Sequence, residues 1–381
     1  MPGTNLRFIH LRIACGAIKV YVFLEDATML FPIVIGLLAG ILFGLATPFS
    51  KILLGSMNSF QLAGLLYLGA ALVFLPYVGT HLRRETQLLK TTHKTLKIAG
   101  IVLFGGLLGP VLLMMGLKSA QSASVSLWLN LELVATAILG AVFFKDHLDR
   151  TAIAGVALTI LAGVLMSVHE GPGGILPAVL VMLACICWGI DNQLTAIIDG
   201  VSPQTITCIK GMVAGTVNLS IGFGSSNAKL EFGTIAGALV LGMISYGLSI
   251  VLYVSSAQQL GATRSQMMFS TGPFWGILAA YLILGDSVSL YSVIAIVLLA
   301  GGISLTILGT HSHPHHHYAV THIHSHLHDD NHHDHLHASP IQPGVRHTHI
   351  HAHPATEHTH THYPDLHHRH PHTGASHKTD A

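Results

Sequence analysis

Hydrophobic residues gather into ten stretches along the chain: 30 to 50, 60 to 79, 96 to 117, 122 to 144, 151 to 168, 174 to 197, 204 to 224, 233 to 256, 263 to 284 and 290 to 309. Each predicts a membrane-crossing helix, because about 20 apolar residues rising about 1.5 Å apiece cover the hydrocarbon core. Polar positions fall between the stretches, in short connections with turn formers such as Gly171-Pro172-Gly173 and Ser202-Pro203. No soluble domain fits between Met29 and Gly309. The pattern predicts an all-α integral membrane protein with ten transmembrane helices.

Composition strengthens this picture: 51% of residues are hydrophobic and 9% are charged, where a soluble domain carries roughly 25% charged residues. The lipid bilayer is therefore an expected partner, and the net charge of +1 gives no reason to expect nucleic acid. Cys185, Cys187 and Cys208 lie inside apolar stretches without a CxxC pair, and with Cys15 they read as small buried residues rather than a redox or metal centre.

The second half repeats the first. Phe43 to Gly55 (FGLATPFSKILLG) lies over Trp188 to Gly200 (WGIDNQLTAIIDG) at an offset of 145, which sets Gly44 on Gly189 and Gly55 on Gly200. Asp146 and Asp286 close corresponding stretches at an offset of 140. Two five-span units are typical of secondary transporters. Lys and Arg number eight in the even loops (Arg83, Arg84, Lys90, Lys94, Lys97, Lys145, Arg150, Arg264) and three in the odd ones (Lys51, Lys118, Lys229). Even loops are then cytoplasmic, and so are both termini. Five being odd, the second unit enters the membrane inverted.

Residues 1–28 hold Arg7, Arg12 and Lys19 among short apolar runs, which does not suit a cleaved signal. Either the chain starts at Met29, or this extension lies on the membrane surface as an amphipathic lead-in. Both readings stay open.

Ser122 to Leu148 (SASVSLWLNLELVATAILGAVFFKDHL), Gly261 to Val288 (GATRSQMMFSTGPFWGILAAYLILGDSV) and Trp188 to Thr195 (WGIDNQLT) resemble the paired EamA domains of the drug/metabolite transporter superfamily. The resemblance runs from about Met29 to Gly309 and divides the chain into an extension (1–28), a first repeat (29–168), a second repeat (174–309) and a tail (310–381). It implies ten helices in two inverted five-helix repeats, a substrate cavity between the halves and transport of a small molecule. It implies, most often, proton-linked or exchange movement of small metabolites, amino acids or toxic compounds, and leaves a homodimer open. One departure is visible: family members often carry Glu-Pro in the fourth helix, where this chain has Glu132-Leu133. Only the second copy keeps the proline, as Pro273, so the first is expected to bend less.

Few ionisable residues lie deep in the spans. Glu132 is eleventh of the 23 residues from Ser122 to Phe144, at the bilayer centre, where a charge costs ~3 kcal/mol and normally faces the protein interior. It reads as a proton-accepting or cation-binding carboxylate, against the plainer reading of a neutral acid bonded between helices. Asp191 and Lys210 lie at similar depth, about two turns from the cytoplasmic ends of the sixth and seventh spans. They form either a structural clasp or a gate. Asn192 and Gln193 are polar neighbours of that pair, while Trp128 and Asn130 lie within a turn of Glu132. Trp188, Tyr246, Phe274 and Trp275 are further candidates for a mostly apolar cavity wall.

After Gly309 the chain changes character. Of its 30 histidines all but five (His10, His81, His93, His147, His169) lie in the tail. They run as HSHPHHH (His311, His313, His315, His316, His317), as His322, His324, His326 and His328, and as His332, His333, His335 and His337. With so few large apolar residues the tail is expected to be disordered and to bind divalent transition metals such as Zn, Ni or Co. No cofactor is otherwise required. A GxxxxGK[ST] loop is absent and no catalytic constellation stands out, so the chain reads as a non-enzyme. The leading expectation is a secondary transporter that exports a small organic solute. A transition-metal exporter and a membrane-tethered metal buffer or sensor are the alternatives.

Overall fold

The computed structural model describes residues 27–80, 92–144, 150–198, 201–226, 230–260, 262–287, 289–308 and, in the tail, 311–317, 320–326, 347–353 and 356–362. The extension before Ala27, the loop with Arg83, Arg84 and Lys90, the residues Lys145, His147 and Lys229, and the rest of the tail lie outside them.

Every described element of the membrane part is helical: α1 (Ala27–Gly44), α2 (Ala46–Leu53), α3 (Ser59–Leu72), α4 (Thr92–Gly100), α5 (Gly109–Ser119), α6 (Ser122–Trp128), α7 (Leu131–Phe144), α8 (Arg150–Glu170), α9 (Ile175–Ala196), α10 (Pro203–Gly224), α11 (Phe232–Leu241), α12 (Ser249–Leu260), α13 (Ala262–Phe269), α14 (Gly272–Ala279) and α15 (Leu290–Leu308). π-helical turns at Ile101–Leu108 and Gly242–Leu248 join α4 to α5 and α11 to α12. Among the described residues eight apolar helical stretches are long enough to cross a membrane, which makes this a multi-pass membrane protein. Shorter apolar helices, Ser59–Leu72 and Leu290–Leu305, fall in the other two expected spans. α3 alone is 14 residues, about 21 Å at 1.5 Å per residue, and a turn at residues 73–74 precedes a further helical stretch to residue 80.

Contacts between the helices fall into matching pairs. α3 packs along α10 and α8 along α15, each the same position of its half. α1 packs against α12, α13 and α14, while its counterpart α9 packs against α5, the first π segment and α7. Small residues make the closest approach: a Cβ on Gly64 of α3 would lie 2.6 Å from the Leu219 nitrogen, and one on Gly215 of α10 would lie 2.8 Å from the Leu68 nitrogen. Such backbone contact is what membrane helices gain from glycine, since lipid leaves no hydrophobic drive between them.

Interruptions also recur at one spacing. The fourth apolar span breaks between Trp128 and Leu131 and the ninth between Phe269 and Gly272, both 141 residues apart. The π segments begin at Ile101 and Gly242, again 141 apart. The missing proline does not spare the first copy, because the break lies before Glu132, whose N–H bonds the Leu129 carbonyl in a tighter turn at 3.0 Å. The Cys185 thiol, a weak donor, points at the carbonyls of Trp128 and Leu129 at 3.7 and 3.8 Å. In the second copy Pro273 sits in the first turn of α14, where its lacking N–H costs nothing.

The tail departs from its expected disorder. β1 (His311–His317) pairs antiparallel with β4 (Thr356–His362), and β2 (Val320–His326) with β3 (His347–His353). The sequence alternates histidine with Thr, Ser, Ile and Ala, a period of two that suits a strand, and β-branched Thr321, Ile323, Thr348 and Ile350 favour it. Histidines stand opposite one another in register, His313 with His360 and His324 with His349 among them. His328, His332, His333, His335 and His337 lie outside the described residues.

Candidate functional site

The break in the fourth span puts Glu132 in the first turn of α7, at 5% exposure. Its Oε1 accepts a hydrogen bond from Asn192 Nδ2 of α9 at 2.8 Å. The same amide donates to Thr136 Oγ1 at 3.3 Å and to Gln266 Oε1 of α13 at 3.2 Å. Three helices from both halves thus meet around one carboxylate, and Asn192 joins them.

Asp191 is the neighbour of Asn192 on α9 but points elsewhere. Its Oδ2 meets Lys210 Nζ of α10 at 2.7 Å, with both side chains buried. Thr195 Oγ1, one turn on, donates to Asp191 Oδ1 at 3.3 Å. An ion pair this short offsets much of the cost of burying two charges, and removing either partner strands the other.

The first π segment supplies a third group of contacts. Pro110 lacks the N–H that would bond the Gly106 carbonyl, and the wider π turn leaves carbonyls without an intrahelical donor. Gly105 O accepts from the Tyr67 hydroxyl and from Trp188 Nε1, the latter at 3.1 Å, and Gly106 O accepts from Asn218 Nδ2 at 3.3 Å. Freed backbone becomes the hub that ties α3, α9 and α10 to this helix.

Two cavities open beside these groups. The larger is walled by the aromatic rings of Tyr67, Trp188, Tyr246 and Tyr253 and reaches Asp191 and Lys210. The other runs past Thr47, Ser126 and Pro273. Phe43, Glu132 and Phe269 belong to both walls. Phe43 and Phe269 lie with ring centroids 4.9 Å apart, so a pair of rings and one carboxylate stand where the cavities adjoin. Past the second cavity, Lys51 Nζ donates to the carbonyls of Leu117, Lys118 and Ala120 at 2.7, 3.2 and 2.8 Å. Ala123 N donates to Asp286 Oδ2 at 3.2 Å.

Of the residues singled out in the sequence, Glu132, Asp191, Lys210 and Asn192 come together on the cavity walls, with Trp188 and Tyr246. Gln193 donates instead to Thr136 O at 3.1 Å. Trp128 turns away: fully buried, it donates to Gly163 O of α8 at 3.1 Å and lines neither cavity. Asn130 is buried in the break, and neither end of its amide has a partner. Trp275 is 41% exposed on the outer surface. Sequence reasoning did not single out Gln266, Tyr67, Tyr253, Phe43 or Phe269. An amide at position 266 in an apolar span was the one available signal. Among the described residues no three of His, Cys, Asp and Glu come together to hold a metal.

A polytopic helical protein with an aromatic-walled polar site built from both halves has the architecture of a membrane transporter. The sequence profile of the EamA-like transporter family matches residues 30–168 and again 175–308, and the chain belongs to that family, within the drug/metabolite transporter superfamily. It is similar to an uncharacterized transporter of Methanothermobacter thermautotrophicus, 27% identical over 283 residues, covering 69% of this chain and 82% of that one. It is similar also to the uncharacterized transporter YyaM of Bacillus subtilis, 23% identical over 253 residues, or 62% of this chain and 80% of that one. A crystal structure of a protein with 17% identity has the same fold, at a TM-score of 0.56 over 73% of this chain and 96% of its own.

Proposed function

We propose that the chain is a secondary active transporter that exports a small organic solute by alternating access. Its ten helices form two inverted five-helix repeats in the cytoplasmic membrane, with both termini in the cytoplasm. The paired contacts and the interruptions at a common spacing of 141 residues support the repeats, and the lysine and arginine bias supports the orientation. One observation carries the functional reading: a buried carboxylate, Glu132, stands where two cavities adjoin, held by an amide from the opposite half. A central site that both cavities reach is what alternating access requires.

Efflux from reconstituted vesicles tests it, screened over amino acids, cationic drugs and Ni, Co or Zn with and without a proton gradient. Movement of an organic solute that Glu132→Gln abolishes is expected. Gradient-driven flux that is the same in Glu132→Gln would remove Glu132 from the mechanism.

The tail is read as a divalent-metal binder that serves this core. The ladders that set His313 against His360 and His324 against His349 supply the observation. Deleting residues 310–381 leaves solute flux intact under this reading and lowers metal tolerance. If deletion instead stopped flux of Ni, Co or Zn while no organic solute moved, metal export would take its place.

A further inference from the structure

The charge and lining of the site narrow its solute. Three acidic or basic side chains border the larger cavity, Glu132, Asp191 and Lys210, and Glu132 alone borders the smaller. Lys210 is spent on Asp191 at 2.7 Å, so their charges cancel and Glu132 keeps the site one negative charge in excess when ionised. Around it stand aromatic faces, which attract cations through their quadrupoles, most strongly where water is excluded. Two of those rings carry an unmet need. The hydroxyls of Tyr246 and Tyr253 are buried on the cavity wall without any hydrogen-bond partner. A buried hydroxyl left so costs stability, and a ligand N–H group relieves it. A carboxylate on the solute would find the opposite: an ionised acid facing it, and the one lysine already taken.

We propose that this site binds a protonated amine that carries no carboxylate, its ammonium set between Glu132 and the Tyr246 and Tyr253 hydroxyls, its apolar part against the rings. This rests on the transporter reading above and excludes amino acids, which that reading alone admits. The ammonium donates to the Glu132 carboxylate and to the two phenolic oxygens.

Radiolabelled phenethylamine, cationic at neutral pH, is the probe, with the full chain purified in detergent and scintillation proximity as readout. Binding is expected that neither phenylalanine nor phenylacetate displaces in large excess. Glu132→Gln is expected to weaken it about tenfold or more, the loss of one charged hydrogen bond. Glu132→Asp retains most of the affinity. Tyr246→Phe with Tyr253→Phe, which preserves the packing of both rings, weakens it about tenfold as well. That pair decides the matter should Glu132→Gln fail to fold. Absence of phenethylamine binding, equal displacement by phenylalanine or phenylacetate, or unchanged affinity in both variants would overturn the assignment. Vesicle flux separates the two levels. Phenylalanine flux without phenethylamine binding sinks the amine site and leaves the transporter standing, whereas amine binding without flux of any solute sinks the transporter and leaves the site.

Discussion

Gly105 faces the Asp191 carboxylate so closely that a Cβ on the glycine would overlap both carboxylate oxygens. Asp191 in turn holds Lys210 at 2.7 Å, so the absence of a side chain at position 105 is a condition for the ion pair. Gly105→Ala should push the carboxylate aside and lengthen or break the pair. Overpacking a dense site costs about 1–3 kcal/mol, and a displaced buried charge adds to it. A lowered thermal midpoint in detergent, together with flux reduced at least about tenfold, is the expected result. Unchanged stability would show that α9 can retreat without penalty.

Asp191 and Lys210 can be separated into clasp and gate by substituting them singly and together. Asp191→Asn leaves a buried ammonium without its counter-charge, at a cost of about 3–5 kcal/mol. Asp191→Asn with Lys210→Met removes both charges and should recover most of that stability. Because both residues border the larger cavity, flux is expected to stay lost in the double variant although the fold returns. Recovery of flux along with stability would make the pair a clasp and nothing more.

These relationships differ in how far the sequence discloses them. The spans are legible because the bilayer demands long apolar runs, and the duplication shows in Gly44 and Gly189. Counting turns from the helix ends brings Asp191 and Lys210 to one depth, and the side chains do meet. Direction around a helix is harder to read. Trp128 and Glu132 lie one turn apart, yet the indole turns to Gly163 while the carboxylate turns to Asn192. Gln266 reaches Asn192 from 74 residues away, a proximity set by which helices pack together and not by spacing. The π segment over Ile101–Leu108 is equally hidden, since IVLFGGLL reads as any apolar helix. In the tail, composition points to disorder where alternation of His and Thr points to strands.

Trp128 gives a test of that division between wall and packing. Its indole N–H fills the Gly163 carbonyl of α8 and its ring is fully buried, away from either cavity. Trp128→Phe should keep much of the aromatic bulk, lose the hydrogen bond and cost about 1 kcal/mol from that bond, more if a void is left. Solute affinity should change by less than about twofold, below the roughly 1.4 kcal/mol that marks a tenfold effect. A tenfold loss of affinity with normal stability would place Trp128 on the binding surface after all.

Lys51 lies on α2, one turn beyond Thr47 of the smaller cavity. Its ammonium on α2 gathers three carbonyls, those of Leu117, Lys118 and Ala120, at the end of α5. Those groups are orphans of a helix terminus, and a cation there is favoured by the helix dipole as well as by direct bonding. Lys51→Gln keeps an N–H donor on a chain one carbon shorter but removes the charge, which weakens hydrogen bonds worth about 1.5–3 kcal/mol each when ionic. In an alternating-access cycle this latch must open, so its loss should shift the population toward the state open at that end. The measurement is labelling of Ala120→Cys by a membrane-impermeant maleimide, Ala120 being buried with the latch closed. Faster labelling in the Lys51→Gln background is expected, with addition of the transported solute changing the rate in both. Equal rates in the two backgrounds would mean that Lys51 caps α5 without holding that end shut.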